Sequence, residues 1–484
     1  MLLKLLKFLG LALLCLIAVL LVRMMLYPSR QIHVPPVIPR EIGDDGIARL
    51  AGAVQFRTVS YDDSAQADTA AFAHLIHYLI QTYPLTTANL HPEKVSGSSL
   101  LYCWKGSDAG LQPMLLIGHM DVVPAADEEK WEHPPFGGEV AQGYIWGRGT
   151  LDDKVNVVSI LEAVESLLKQ GYKPKRTIYL GFGQDEEVGG KYGALRIVDV
   201  LKLRKVKAGF LLDEGLMIAR GLVPGISKDV ALIGIAEKGY MSLELTVDAE
   251  AGHSSLPPKE TAIGILATAV SRLENNPMPA DFCEPVNEFL DHIGPEMPFF
   301  NKLVFANRWL FKPLIIHKYE STSAGRSVVR TTTAATEFHS GVKENVIPGH
   351  ARALVNFRIL PGQTSEEVIS RVSRIISDER IHLKRVGHGN EPSAVSDYRS
   401  EGYATIQKTI AQTFPEALIS PSLVVAATDA RHYAPVADNL YRFIPITVKA
   451  EDLSRIHGLN ERIAIADFKN CIRFFEQLIR NANP

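Results

Sequence analysis

Three apolar runs of strand length, each ending in an acid or a histidine, constrain this chain most. Met114–Gly118 runs into His119, Thr177–Phe182 into Asp185, Glu186 and Glu187, and Ala208–Leu212 into Asp213 and Glu214. Short apolar runs bounded by turn residues read as buried strands. Between the first two, Asp153–Gln170 places Val155, Val158, Leu161, Val164 and Leu168 at helical spacing, and Gly171 stops the helix. Strands alternating with helices predict an α/β fold on a mostly parallel sheet. Such sheets bind ligands at the carboxyl ends of their strands, which is where these acids fall.

The pattern changes near residue 238. Ser242–Asp248 alternates strictly, as a strand with one wet face does. A helix is expected over 260–274, a second alternating strand over Ala351–Leu360, a helix over Ser365–Ile376 and a strand over Ile381–Val386. Residues 238–389 therefore read as a smaller two-layer α+β domain inserted between 41–237 and 390–484. Within it, 277–343 reads as a less regular insertion. The last element expected is a helix over Ile465–Arg480.

At the N-terminus, Lys4 and Lys7 precede an apolar run from Phe8 to Val22, broken by Arg23 and continued to Tyr27. No small-residue cleavage site follows, so residues 1–30 are expected to be a transmembrane signal anchor rather than a cleaved signal peptide. The leading lysines put the rest of the chain on the extracytoplasmic side. Residues 31–40, rich in proline, read as a stiff linker. A formal net charge of -3 offers no basic surface for nucleic acid. The four cysteines are too dispersed for a zinc knuckle or a redox pair; Cys15 lies inside the apolar N-terminus, and Cys103, Cys283 and Cys471 read as small buried side chains.

The acids suggest a metal centre. His119 and Asp121 sit two apart, so both point the same way from an extended chain, and the carboxylate can fix the imidazole as a ligand. Asp152 and Asp153 follow two glycines, Gly147 and Gly149, just before a helix. Helix capping is the bland explanation, and for Asp153 it stands. Of the adjacent Glu186 and Glu187, one can bind metal while the other moves a proton. His457 on its own reads as a surface histidine. Together, His119, Asp152, Glu187, Asp213 and His457 make a mixed nitrogen and oxygen shell that suits catalytic zinc.

Longer motifs sharpen this. The chain contains G-H-M-D-V-V-P, W-x-x-P-P-F-G-G, G-R-G-T-L-D-D-K, D-E-E-V-G-G, A-G-H-S-S-L-P and N-V-I-P-G, in that order. From about Ile47 to the C-terminus it resembles the aminoacylase/carboxypeptidase di-zinc metallopeptidases. R-T-T-T-A at Arg330 and D-A-R-H-Y at Asp429 point to carboxypeptidase S and the secreted N-fatty-acyl-amino-acid synthase/hydrolase. The resemblance implies two Zn2+ per chain, with Co2+ or Mn2+ as substitutes, and Asp152 bridging them. His119 and Asp213 would hold one ion, Glu187 and His457 the other. Asp121 would orient His119, and Glu186 would be the general base. His253 would stabilise the oxyanion, acting across a homodimer in some relatives. Arg358 would clamp the substrate carboxylate, with Asn345 and Arg330 as lesser candidates. The inserted domain would be a lid of the dimerisation type. The substrate would be a dipeptide, a short peptide or an N-acyl amino acid, and a non-catalytic metal-dependent binding protein is the alternative from another class. One departure is Val424–Thr428, V-V-A-A-T, where relatives are richer in glycine.

Overall fold

The computed structural model describes residues 1–38, 40–63 and 66–483. Helix α1 (Leu2–Met25) is apolar, and its first half stands exposed. Its 24 residues rise about 36 Å, enough to cross a ~30 Å hydrocarbon core. Of the proline-rich stretch that follows, Pro39 lies outside the described residues. Ile32 and Val34 pack on the main core, and Gln31 exchanges hydrogen bonds of 3.1 and 2.8 Å with the Ile419 backbone.

The expected strands form β1 (Met114–His119), β2 (Ile178–Gly183) and β3 (Phe210–Asp213), followed by β4 (Val230–Glu237). Helix α2 (Lys154–Lys169) links β1 to β2 and is buried along most of its length, between the sheet and a C-terminal helix. After β4 the chain forms β5 (Gly239–Asp248), α3 (Ala262–Asn275), α4 (Glu284–Ile293), α5 (Phe299–Ala306), α6 (Arg308–Glu320), α7 (Ser323–Val329), β6 (Thr332–Ser340), β7 (His350–Ile359), α8 (Ser365–Ile376) and β8 (His382–Asn390). It then returns with β9 (Leu418–Val424), β10 (Leu440–Arg442) and α9 (Ile465–Asn481).

The large sheet has ten strands, with β2, β1, β3, β10 and β4 adjacent in that order and β9 beside β4. It is mixed, which corrects the expectation of a mostly parallel sheet. β1 runs parallel to β2 and β3, and β10 parallel to β3, but Ser99–Trp104 is antiparallel to β2 and β10 to β4. Antiparallel neighbours need no crossover helix, so they leave no βαβ signature in the sequence.

The second sheet is antiparallel, in the order β6, β7, β5, β8. Met241, Leu243, Leu245 and Val247 alternate inward along β5 and meet Leu266 of α3 and Val372 of α8 in a core of their own. The stretch 277–343 is more regular than its sequence suggests, since it supplies α4–α7 and β6. β6 carries no apolar face because it is an exposed edge strand.

Candidate metal centre

His119 is the last residue of β1, which sets its buried ring at the carboxyl end of the strand. Its Nδ1 lies 3.0 Å from the Asp121 main-chain oxygen and 3.3 Å from Asp121 Oδ1. Those acceptors hold the proton on Nδ1 and leave Nε2 facing Asp152 Oδ1 at 3.0 Å. Asp121 does more than orient this ring. Its carboxylate accepts the backbone N–H of Glu186 at 3.1 Å, that of Glu187 at 3.2 Å, and the Ser60 hydroxyl at 2.6 Å.

The Asp152–Asp153 peptide bond is cis. Asp152 points its second oxygen, Oδ2, at His457 Nε2, 3.1 Å away. His457 Nε2 also lies 3.3 Å from Glu187 Oε2. Asp153 makes no side-chain cap on α2; it accepts the His119 backbone N–H at 3.1 Å instead. That approach requires Gly118, where a Cβ would come within 2.6 Å of the same carboxylate oxygen. Asp185 is a brace for the turn, accepting the backbone N–H groups of Tyr192 and Gly193 at 2.7 Å each.

Asp213 departs from expectation. Its Oδ1 accepts the Glu214 N–H at 2.9 Å and its Oδ2 the Ala430 N–H at 2.8 Å. Asp213 is still in strand register, opposite Arg442, and its carboxylate serves the Thr428–Ala430 turn. Glu214, the first residue past the strand, brings its carboxylate to His119 and Asp152 instead. Two donor groups result, His119–Asp152–Glu214 and Asp152–Glu187–His457, with ligand atoms within 4.8 Å in each. Asp152 is common to both.

A family model described as peptidase family M20/M25/M40 matches residues 115–481. The chain belongs to peptidase family M20. It is 42% identical over 437 residues to a probable carboxypeptidase S-like 2 of Dictyostelium discoideum, covering 90% of this chain and 84% of that one. It is 44% identical over 441 residues to an N-fatty-acyl-amino acid synthase/hydrolase of Xenopus tropicalis, covering 90% and 86%. Among solved structures, an M20 family metallo-carboxypeptidase of Sulfolobus solfataricus has the same fold, with TM-score 0.69 at 18% identity over 91% of this chain and all of that one. This M20 chain is thus a metal-dependent hydrolase.

The residues present fit such a metal. Glu187 Oε1, Asp153 Oδ1 and Asp429 Oδ1 are buried without a hydrogen-bond partner among the described residues. Burial, and then the charge of neighbouring carboxylates, raises the carboxyls of Glu186, Glu187, Glu214 and Asp429 above their ordinary range. Crowded carboxylates with so few cations among them are what bound divalent ions neutralise.

The other candidates scatter. Arg358 is half-buried on β7 over the Tyr240 ring, 4.6 Å to its centroid, and has no carboxylate partner among the described residues. Burial lowers its pKa, and the Arg431 charge acts both on it and on Glu186. Arg330 is ion-paired with Glu320, so its guanidinium is committed. His253 and Asn345 lie at an exposed two-stranded antiparallel ladder, where Gly252–His253 pairs with Val346–Ile347 and Ser254 N–H donates to Asn345 O at 3.2 Å. His253 Nδ1 meets Ser255 Oγ at 2.8 Å, and among the described residues it makes no hydrogen bond or ion pair with the metal-site residues.

Two buried hubs went unseen in the sequence. Glu461 is ion-paired with Arg148 and accepts the N–H groups of Gly149 at 2.9 Å and Leu151 at 2.8 Å, tying the Asp152 loop to the His457 loop. Glu237, at the end of β4, accepts Arg442 Nε at 2.8 Å, Thr428 Oγ1 at 2.6 Å and Thr428 N at 3.1 Å. That contact sets the turn carrying Asp429. An acid four residues past His457 was the only local cue to Glu461.

Proposed function

We propose that this chain hydrolyses an amide bond next to a free carboxylate, with His119, Asp152 and Glu214 holding one zinc ion and Asp152, Glu187 and His457 a second. The observation that carries this is the pair of donor groups meeting at Asp152. Bound divalent ions, Co2+ and Mn2+ among the substitutes, would polarise the scissile carbonyl and acidify a water. Glu186 takes the proton from the attacking water and passes it to the leaving amine. Asp121 holds both the His119 ring and the Glu186 backbone in place. Arg358, with no carboxylate partner among the described residues, receives that of the substrate. His253 reaches the reacting carbonyl by closure of the smaller domain as a lid, or from the partner copy of a homodimer. Glu186→Gln is expected to keep two metals per chain and lower kcat on the order of 10²–10⁴-fold. Full turnover in that variant would sink the mechanism.

The N-acyl amino acid reading has its own support in the 44% identical relative and in apolar α1. Assaying Gly-Leu beside N-oleoyl-phenylalanine separates peptide from lipid-like substrate. α1 is read as a single-pass anchor with the catalytic part outside the cytoplasm.

A further inference from the structure

Helices α5 and α6 carry an apolar surface that the hydrolytic chemistry does not use. Phe299, Phe300, Trp309, Leu310 and Leu314 stand in solvent, Phe300 at 77% exposure. Exposed apolar side chains gathered on two adjoining helices mark a contact with another phase or another molecule.

Its neighbour identifies which. α5 packs along α1. Buried Asn307, between α5 and α6, donates to Leu20 O of α1 at 3.0 Å and to Leu303 O at 2.9 Å. The Tyr27 hydroxyl, just past α1, donates to Leu290 O of α4 at 2.7 Å. If α1 crosses a bilayer and leaves it near Tyr27, Leu20 lies seven residues inside, about 10 Å below that interface. Whatever is bonded to the Leu20 carbonyl is carried to the same depth. A polar side chain shared between close helices is how contacts are fixed where water is absent. Trp309 has the amphipathic ring favoured at a membrane interface. Arg308 reaches back toward the water side, with its guanidinium 3.5 Å from the Tyr27 hydroxyl and 2.5 Å from Asp291.

We propose that α5 and α6 form a second membrane element, lying in the bilayer leaflet beside the C-terminal half of α1. The pair is coupled to the substrate side of the enzyme. Glu320 at the end of α6 is ion-paired with Arg330, and Thr332 pairs in register with Arg358. The contact with lipid stands independently of the substrate and of the catalytic assignments.

The test is fluorescence quenching on the full chain, reconstituted into phosphatidylcholine vesicles brominated along the acyl chains. The chain has four tryptophans, and Trp104, Trp131 and Trp146 are buried in protein. Bromolipid is expected to quench one component of the emission, and Trp309→Phe to remove that component. Trp309 emission quenched by aqueous iodide and untouched by bromolipid would overturn the proposal. Protection from both quenchers would overturn it too, placing a second copy of the chain on this surface.

Discussion

Arg442→Met tests the buried hub at the end of β4. Arg442 and Glu237 are 0% and 1% exposed, and Glu237 has no other cation partner among the described ion pairs. The methionine fills much of the arginine stem's volume but leaves a carboxylate buried beside the carboxylate of Asp213. Breaking a buried pair from one side costs about 3–5 kcal/mol. At an unfolding entropy of about 2.1 cal/mol/K per residue, that corresponds to a midpoint lowered by roughly 3–8 °C. Thermal unfolding should be followed in chelator, so that bound metal does not mask the loss. Adding Glu237→Gln removes the stranded charge while keeping an oxygen for Thr428, and should recover at least half of the loss. A single variant within ~1 kcal/mol of the parent would refute the reasoning. So would a double variant no better than the single one, because the loss would then lie in packing.

Three further outcomes are expected. Glu214→Gln should lower bound metal toward one ion per chain by elemental analysis, whereas Asp213→Asn should retain two ions while melting earlier. Lys238, its amine donating to Ser327 O and Arg330 O at 2.8 Å each, has its pKa pushed down to about 7 by burial. The unfolded chain keeps that proton up to about 10.5, so stability rises with pH between these values and is lost as pH falls toward 7. Measured against Lys238→Met by denaturant titration, the parent should gain about 2 kcal/mol from pH 7 to 9. A constant difference between the two would contradict the buried, uncharged amine.

Much of this was legible along the chain because it is written locally. β1, β2 and β3 announce themselves as apolar runs, and Val155 to Leu168 declares α2. His119, Asp152, Glu187 and His457 carry motif contexts that the structure gathers at one place. What was hidden depends on register and on distant partners. Asp213 and Glu214 are adjacent acids, and only the pairing of Asp213 with Arg442 decides which one turns to the centre. Glu237 and Arg442 meet across 205 positions of sequence, beyond any periodicity. β6 was missed because an exposed edge strand needs no apolar face. α5 and α6 looked irregular because their apolar residues point outward and Pro313 interrupts the second helix.

The Asp121 clamp has a consequence for anyone who would redesign this enzyme. One carboxylate steadies the His119 ring on β1 and, through two backbone N–H groups, the segment bearing Glu186 and Glu187, the proposed base and the proposed ligand on the other side. Under the proposed mechanism, metal preference and proton transfer therefore share a keystone. A change there moves both together, so neither property can be selected for without disturbing the other.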